Sequence, residues 1–340
     1  MPDFSIGVDL GGTNLRIAAV SSEGSLLEKI TLGTNMAEGP DHLINQMCDA
    51  IQRLITQYRR GGSFLGAGIG IPGAIDLDAG TIRKSANLPG WSGYPVRVEI
   101  ERRLGAPVFL DNDGNVAALG EKWLGAARDV TNMVMITLGT GIGGGIVLNG
   151  KIWHGMNGMS GEFGHNPIER DGVPCGCGSH GCAERYASAS AVVRMAREAI
   201  ATGSAPSLEK AASSDPEFSA QSIYNLAIQG DPAAREIFHT FGRALGMMLA
   251  GVINTLNVEM YVIGGGVSSA WDAFAPTMFE EVRERSIVYA ATDPEVPAAK
   301  SEGSEAQPQA LKRKKSIITR ALLGSDAGLF GAARVPLMTD

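Results

Sequence analysis

Three of the chain's four cysteines fall in one short stretch, "CGCGSHGCAE", as Cys175, Cys177 and Cys182. A disulfide between Cys175 and Cys177 is disfavoured, because residues two apart rarely reach the required geometry. Four cysteines in 340 residues also make a poor disulfide framework. The spacing suits a metal, and His165 offers a fourth donor across a connection rich in Pro and Gly. His165, Cys175, Cys177 and Cys182 would fill a tetrahedral zinc shell, leaving no open position, so the site would be structural. Unligated buried thiols are the competing reading. His180 is a rival ligand, but in so tight a turn it is expected to point outward. A clip of this kind would also fix Glu162 and Glu184, which flank it. An imidazole can ligate a metal with one nitrogen and donate a hydrogen bond with the other. His165 and the two carboxylates could therefore grip a polyhydroxylated ligand, the alternative for both glutamates being plain surface charge.

A second group of reactive residue types lies in "LDNDGN", at the end of an apolar run that reads as a strand. Asp113 there could take a proton from a hydroxyl group while the Asn112 amide orients the same ligand. Capping of the following helix by Asp113 or Asn115 is the competing reading. Two glycine turns complete the inventory, Gly11-Gly12-Thr13 and Gly139-Thr140-Gly141. Turns without side chains expose consecutive N–H groups and can bind phosphate oxygens, so the pair could hold one polyphosphate from two sides. Asp9, just before the first turn, could hold a hydrated Mg²⁺. Two ordinary hairpins would look the same. Neither "GIVLNGKI" nor "GTGIGG" works as a helix-opening phosphate loop: the first ends on Ile152, which lacks a hydroxyl, and the second runs into strand-forming residues.

The elements that must position these groups follow from periodicity. "FSIGVDLGGTNLRIAAVSSEG" reads as strand, tight turn, strand, and "NMVMITLGTGIGGGIVLNGKIW" repeats the pattern. Two related halves, starting near residues 4 and 132, imply a duplicated domain. Leu43, Met47, Ile51, Leu54 and Ile55 recur at helical spacing within 41–60, and a helix is expected to start near Asn115. Asp231 followed by Pro232 opens a long apolar helix whose Gly242, Gly246 and Gly251 are expected to permit close packing. "VEMYVIGGGVS" reads as a further strand ending in Gly264, Gly265 and Gly266. Strands alternating with helices give an α/β fold. Residues 291–315, rich in Pro, Ala, Ser, Glu and Lys, read as a mobile insertion.

Bulk properties narrow the partners. The net charge is −7, with one short basic cluster, "LKRKK", so no broad nucleic-acid surface is expected. No stretch reads as a membrane span or a leader, which together with the cysteine usage points to the cytoplasm.

With these residues in hand, the chain resembles the ROK family of sugar kinases. "HGMNGMSGEFGH" with "CGCGSHGCAERYAS" looks like the family signature, "DLGGTN" and "TLGTGIGGG" like its two phosphate motifs, and "LDNDGNVAALGE" like its catalytic-aspartate segment. "VIGGGVS" looks like its adenosine segment and "LLGSDAGLFGAA" like its C-terminal helix. The resemblance implies an actin-like, RNase H-type duplicated fold of two α/β domains with a cleft between them. The small domain would span 1–112, completed by 321–340, and the large one 113–320. It implies ATP, Mg²⁺ and γ-phosphoryl transfer to the 6-hydroxyl of a hexose, with Asp113 as base. Asn112, Glu162, His165 and Glu184 would bind sugar, with Gly73 and Asn87 beside them. Asp9, Gly11, Gly12, Thr13, Gly139, Thr140, Gly141, Gly264, Gly265 and Gly266 would serve the nucleotide, and His165 with the three cysteines the zinc. "SANLPGW" and "GMNGMSGEFGH" look most like the family's glucokinases. Gly114 in "NDGN" and the "CGSHGC" turn also occur in its N-acetylmannosamine kinases. A sugar-sensing regulator on this fold is the alternative of another class, disfavoured because no room precedes residue 9 for a helix-turn-helix domain. A dimer or tetramer is implied.

Overall fold

In the computed structural model, residues 2–85, 88–292 and 315–338 are described. Most of the expected insertion, and Asn87, lie outside them.

Two five-stranded sheets share one topology. The first contains β1 (Phe4–Leu10), β2 (Asn14–Ser21), β3 (Leu26–Gly33), β4 (Phe64–Ile71) and, after the small hairpin β5 (Ala74–Asp76) and β6 (Thr81–Lys84), β7 (Val108–Asn112). Its order is β3-β2-β1-β4-β7. The second contains β8 (Met133–Leu138), β9 (Ile142–Leu148), β10 (Lys151–Ile152), β11 (Met260–Gly264) and β12 (Ile317–Arg320), in the order β10-β9-β8-β11-β12. In both, the first three strands run antiparallel and the last two join in parallel. This is the actin-like duplication that the two glycine-turn hairpins announced.

Strand alternation decides which helices cover which face. Phe4, Ile6, Val8 and Leu10 of β1 point into a core with α1 (Gly39–Tyr58), which contributes Leu43, Ile44, Met47, Ile51 and Leu54, and with α2 (Val96–Leu104), which contributes Val96 and Ile100. The intervening residues face α10 (Ala327–Arg334). Ser5 Oγ donates to the Ala333 carbonyl at 2.6 Å, and Gly7 leaves room for the α10 backbone. The second sheet repeats the division. Val134, Ile136, Tyr261 and Ile263 face a large core built with α4 (Ala189–Ala201), α5 (Pro206–Ser214), α6 (Ala220–Ile228), α7 (Pro232–Leu256), α8 (Trp271–Arg285) and α9 (Ile287–Thr292). Met133, Met135, Met260 and Val262 face α3 (Asp113–Trp123) and Ala327 of α10. Helices α3 and α10 thus form a shared layer between the sheets.

That layer is held at backbone contact. A Cβ on Gly331 would fall on the Val116 carbonyl, and one on Gly120 would fall on that of Ala327. Glu121, with 0% exposure, ties the same layer to the returning chain: its carboxylate accepts the N–H groups of Ala126, Leu322 and Leu323 at 2.8, 3.1 and 2.7 Å. A buried carboxylate so fully bonded holds its partners firmly.

Local expectations are refined in three places. Helix α3 begins at Asp113, not Asn115, and its cap is Asn112 rather than Asp113 or Asn115: Asn112 Oδ1 accepts the Gly114 and Asn115 N–H groups at 2.8 and 3.3 Å. Asp231 caps α7, accepting from Ala234 N at 2.8 Å. Gly242 and Gly246 do admit α8, against Phe274 and Met278, but Gly251 faces open space.

These contacts predict opposite outcomes for two Gly→Ala changes in helices. Gly331→Ala should cost about 2 kcal/mol or more by forcing α3 and α10 apart. Gly251→Ala should stabilise by about 0.5–1 kcal/mol through helix propensity alone. Urea denaturation midpoints measure both.

Candidate active site

Between the sheets lies a cleft of about 390 Å³. The first half contributes Gly73, Ser85 and Asn112, with Asp113 at the junction. The second contributes the Gly139-Thr140-Gly141 turn, Glu162, His165 and Glu184.

The segment Asp111-Asn112-Asp113 divides its labour. Asp111 turns inward. Asn112 caps α3 through its side-chain oxygen and donates Nδ2 to the Gly73 carbonyl at 3.1 Å, so it holds two walls together. Gly73 adopts φ +113°, and a Cβ there would lie 2.5 Å from the Lys84 carbonyl oxygen. Asp113 faces the cleft. Burial pushes its carboxyl up to about 6, against the lowering effect of the Gly114 N–H, and the nearby charges of Asp9 and Glu162 push the same way as burial. A carboxyl tuned to this range can take a proton near neutral pH.

Helix α3 reaches this position because β9 lacks side chains under it. A Cβ on Gly114 would lie 2.5 Å from the Gly144 carbonyl, and one on Gly145 would lie 2.8 Å from Ala118 Cβ. The "GIGGG" run of β9 is thus a bed for the helix that carries Asp113, and its turn lies directly in front.

Opposite Asp113, the cysteine turn gathers its donors. Cys175 Sγ lies 3.7 Å from His165 Nδ1, and Cys177 Sγ lies 3.7 Å from Cys182 Sγ. All four ligand atoms fall within 4.8 Å of one another. A tetrahedron with metal–sulfur bonds of about 2.3 Å has edges of about 3.8 Å, so the donor set fits zinc. His180 is exposed and outside the group. With Nδ1 facing the thiols, His165 turns Nε2 towards Glu162, 3.9 Å from Oε2. Glu184 sits against the turn, Oε2 accepting the Ile142 N–H at 2.9 Å, and Gly141 is the residue that makes room for it.

Not every expected nucleotide residue lines the cleft. Gly11, Gly12 and Thr13 form a hairpin turn pinned by Thr34, whose N–H bonds the Thr13 carbonyl at 3.0 Å and whose hydroxyl bonds that of Gly12 at 2.7 Å. They stand outside the enclosed volume. Asp9 lies on β1 beside Arg16, at 3.2 Å, with burial raising its pKa and the guanidinium opposing. Gly265 lines the cleft at φ +83°, Gly266 lines a neighbouring cavity, and Gly264 packs on Met135 and Ala321 and lines neither. That neighbouring cavity, about 380 Å³, opens from Gly139 and Thr140 and is walled by Tyr224, Phe238, Val267 and Ala270. Val267 belongs to the "VIGGGVS" segment, whereas Tyr224, Phe238 and Ala270 come from stretches without a motif, which sequence reasoning missed. The cleft residues Ser85, Thr137 and Ser160 sit within the quoted motifs but were not singled out, because a lone hydroxyl carries no signal until the fold collects it.

The ROK family model matches residues 5–336. The chain belongs to the ROK family. A glucokinase of Halalkalibacterium halodurans is 36% identical to this ROK chain over 328 residues, covering 96% of this chain and 92% of that protein. A glucokinase of Thermotoga maritima is 38% identical, over 84% of this chain and 87% of that protein. A solved ROK family glucokinase from Streptomyces griseus, in complex with glucose and AMPPNP, superposes with a TM-score of 0.74 at 32% identity, covering 98% of each chain. Other ROK relatives differ in role: an N-acetylmannosamine kinase of Yersinia pestis is 32% identical over 78% of this chain and 83% of its own.

The donor geometry predicts about one zinc ion per chain by elemental analysis. Cys182→Ser should lose the metal and melt at lower temperature, since ligation and folding are coupled. Full zinc content in that variant would contradict the assignment.

Proposed function

We propose that this ROK protein is an ATP-dependent glucokinase that transfers the γ-phosphoryl group of ATP to the 6-hydroxyl of glucose. The observation that carries the reading is the placement of Asp113, its carboxyl pushed up to about 6, in one cleft with Glu162, His165, Glu184 and the Gly139–Gly141 turn. Glucokinase relatives and the glucose and AMPPNP complex of the Streptomyces griseus protein support it.

Asp113 accepts the proton of the attacking hydroxyl. Glu162 and Glu184 accept hydrogen bonds from the remaining sugar hydroxyls, and His165 donates from Nε2, its other nitrogen being turned to the thiols. Asn112 keeps Gly73 and the start of α3 in register around the sugar. Backbone N–H groups of the Gly139–Gly141 turn receive phosphate oxygens, and the apolar cavity beyond, between Tyr224, Phe238 and Val267, takes the adenosine. Asp9 would hold the Mg²⁺ of Mg·ATP, which supplies charge neutralisation for phosphoryl transfer. The Gly11–Thr13 turn joins the phosphate site when the halves close, a motion that also excludes water. A cytoplasmic homo-oligomer is part of the same reading; among the described residues no helix is long and apolar enough to cross a membrane.

One of the two sequence features that pointed to N-acetylmannosamine, Gly114, loses its force here. Gly114 faces β9 rather than the cleft, so it is a packing requirement. A coupled assay over a panel of hexoses, with and without N-acetyl groups, tests the choice. Turnover confined to N-acetylated sugars would overturn glucose, and no turnover of any hexose would overturn the kinase.

Asp113 yields a paired prediction. Because the base must be ionised, kcat/KM for glucose should fall as pH drops through about 6. Asp113→Asn should lose at least about a hundredfold in kcat. Its folded pKa exceeds the unfolded value, so ionisation weakens the fold as pH rises from 3.8 through about 6. The same variant should therefore melt higher than the parent at neutral pH, which calorimetry reads directly.

A further inference from the structure

The loop 153–162, between β10 and the zinc segment, carries Ser160, Gly161 and Glu162 to the cleft wall. Among the described residues the Glu162 carboxylate has no partner beyond His165 at 3.9 Å, so its position depends on the loop. The loop is tied at its root, and its tip lies close to β5. At the root, His154 Nε2 lies 2.8 Å from Asp111 Oδ2. Asp111 belongs to β7 of the first sheet, whereas His154 follows β10 of the second, so this bond joins the two halves. Asp111 is 5% exposed, and its other oxygen already accepts the Asn112 N–H at 2.7 Å and Asn115 Nδ2 at 2.8 Å. Among the described residues, His154 is thus the imidazole partner of a buried carboxylate two positions before Asp113 in the chain. Within the loop, the Ser160 N–H bonds the His154 carbonyl at 3.3 Å and the Ser160 hydroxyl bonds the Trp153 carbonyl. Residues 154 to 160 therefore close into a ring whose exit leads directly to Gly161 and Glu162. At the tip, Gly158 takes φ +80° and leaves room for only a narrow gap to the Ile75 carbonyl of β5.

We propose that His154 is a positioning residue of the sugar site, its ion pair with Asp111 clipping the 153–162 loop to the strand that delivers Asn112 and Asp113. The proposal rests on the reading that Glu162 contacts the sugar. Asp111 is buried and His154 half-buried, so removing the imidazole would leave a buried carboxylate without this partner. Of the charged groups on the packed elements, which are Asp76 of β5, Asp111 of β7, Asp113, Glu121 and Lys122 of α3, Lys151 of β10 and Glu162 of the loop itself, only Asp111 pairs with His154 among the described residues. That hydrogen bond and charge raise the imidazole pKa against the lowering effect of burial. The cation is present below this raised value and is lost as pH rises through it. Sugar affinity would thus fade on the alkaline side, where Asp113 stays ionised.

Two substitutions separate this role from a merely structural one. His154→Gln keeps an N–H donor without charge, and His154→Arg keeps the cation. In the sugar-free protein, hydrogen exchange at Met159 and Ser160, both hydrogen-bonded within the loop, should quicken about tenfold in His154→Gln and return towards the parent rate in His154→Arg. In the kinase assay, His154→Gln should raise KM for glucose about tenfold with kcat little changed. The alkaline fall in kcat/KM should vanish in His154→Arg. Unchanged loop exchange in His154→Gln would overturn the clip, as would exchange quickened evenly across the whole domain. The exchange measurement needs no substrate, so failure of the glucokinase reading would leave it standing as a separate result.

Discussion

The backbone of α3 lies against the backbone of α10 on one side and of β9 on the other, with no side chain between them. Gly120 and Gly331 permit the first approach, and Gly114 and Gly145 permit the second. Because α3 starts at Asp113, any widening of either contact moves that carboxylate relative to the Gly139–Gly141 turn. The abundant glycine of this chain is therefore concentrated in effect, even though it is scattered in sequence. Side chains of any size at these positions would fill the layer that brings Asp113 and the Gly139–Gly141 turn together.

Around that layer the two halves of the site are held by different chemistry. The Asp113 side depends on backbone packing and on hydrogen bonds from Asn112. The Glu162, His165 and Glu184 side has little regular structure, only short 3₁₀ turns. The thiol and imidazole cluster gathers in this segment, and the orientation of His165 links it to the cleft: one nitrogen turned to the sulfurs leaves the other aimed at Glu162.

Much of this was legible in the sequence because the signals are local. Alternating apolar residues around Gly11-Gly12 and Gly139–Gly141 mark the two hairpins, and their likeness betrays the duplication. The close spacing of Cys175, Cys177 and Cys182 betrays the cluster. What was not legible joins distant segments. Glu121 looks like a helix-surface charge until residues 322 and 323 arrive to bond it. Asp111 looks like a companion of Asp113 until His154 shows that it faces the other way. The cap of α3 was misplaced because three polar residues in a row compete for it, and the strand geometry of Asn112 decides. Gly251 was misread because helical spacing alone cannot say whether a neighbour stands opposite.

The placement of α10 has a consequence for how the chain is made. Strands β1, β2 and β4 precede the whole second sheet in the chain, yet the cover for their second face, Leu329 and Ala333 with the Ser5 anchor, follows it. During translation the first sheet waits, half-clothed, while the second half is built beyond it. Its exposed face carries Ser5, Gly7, Ala18 and Val20, and so offers nascent neighbours less grease than the Phe4-Ile6-Val8 face that α1 covers promptly.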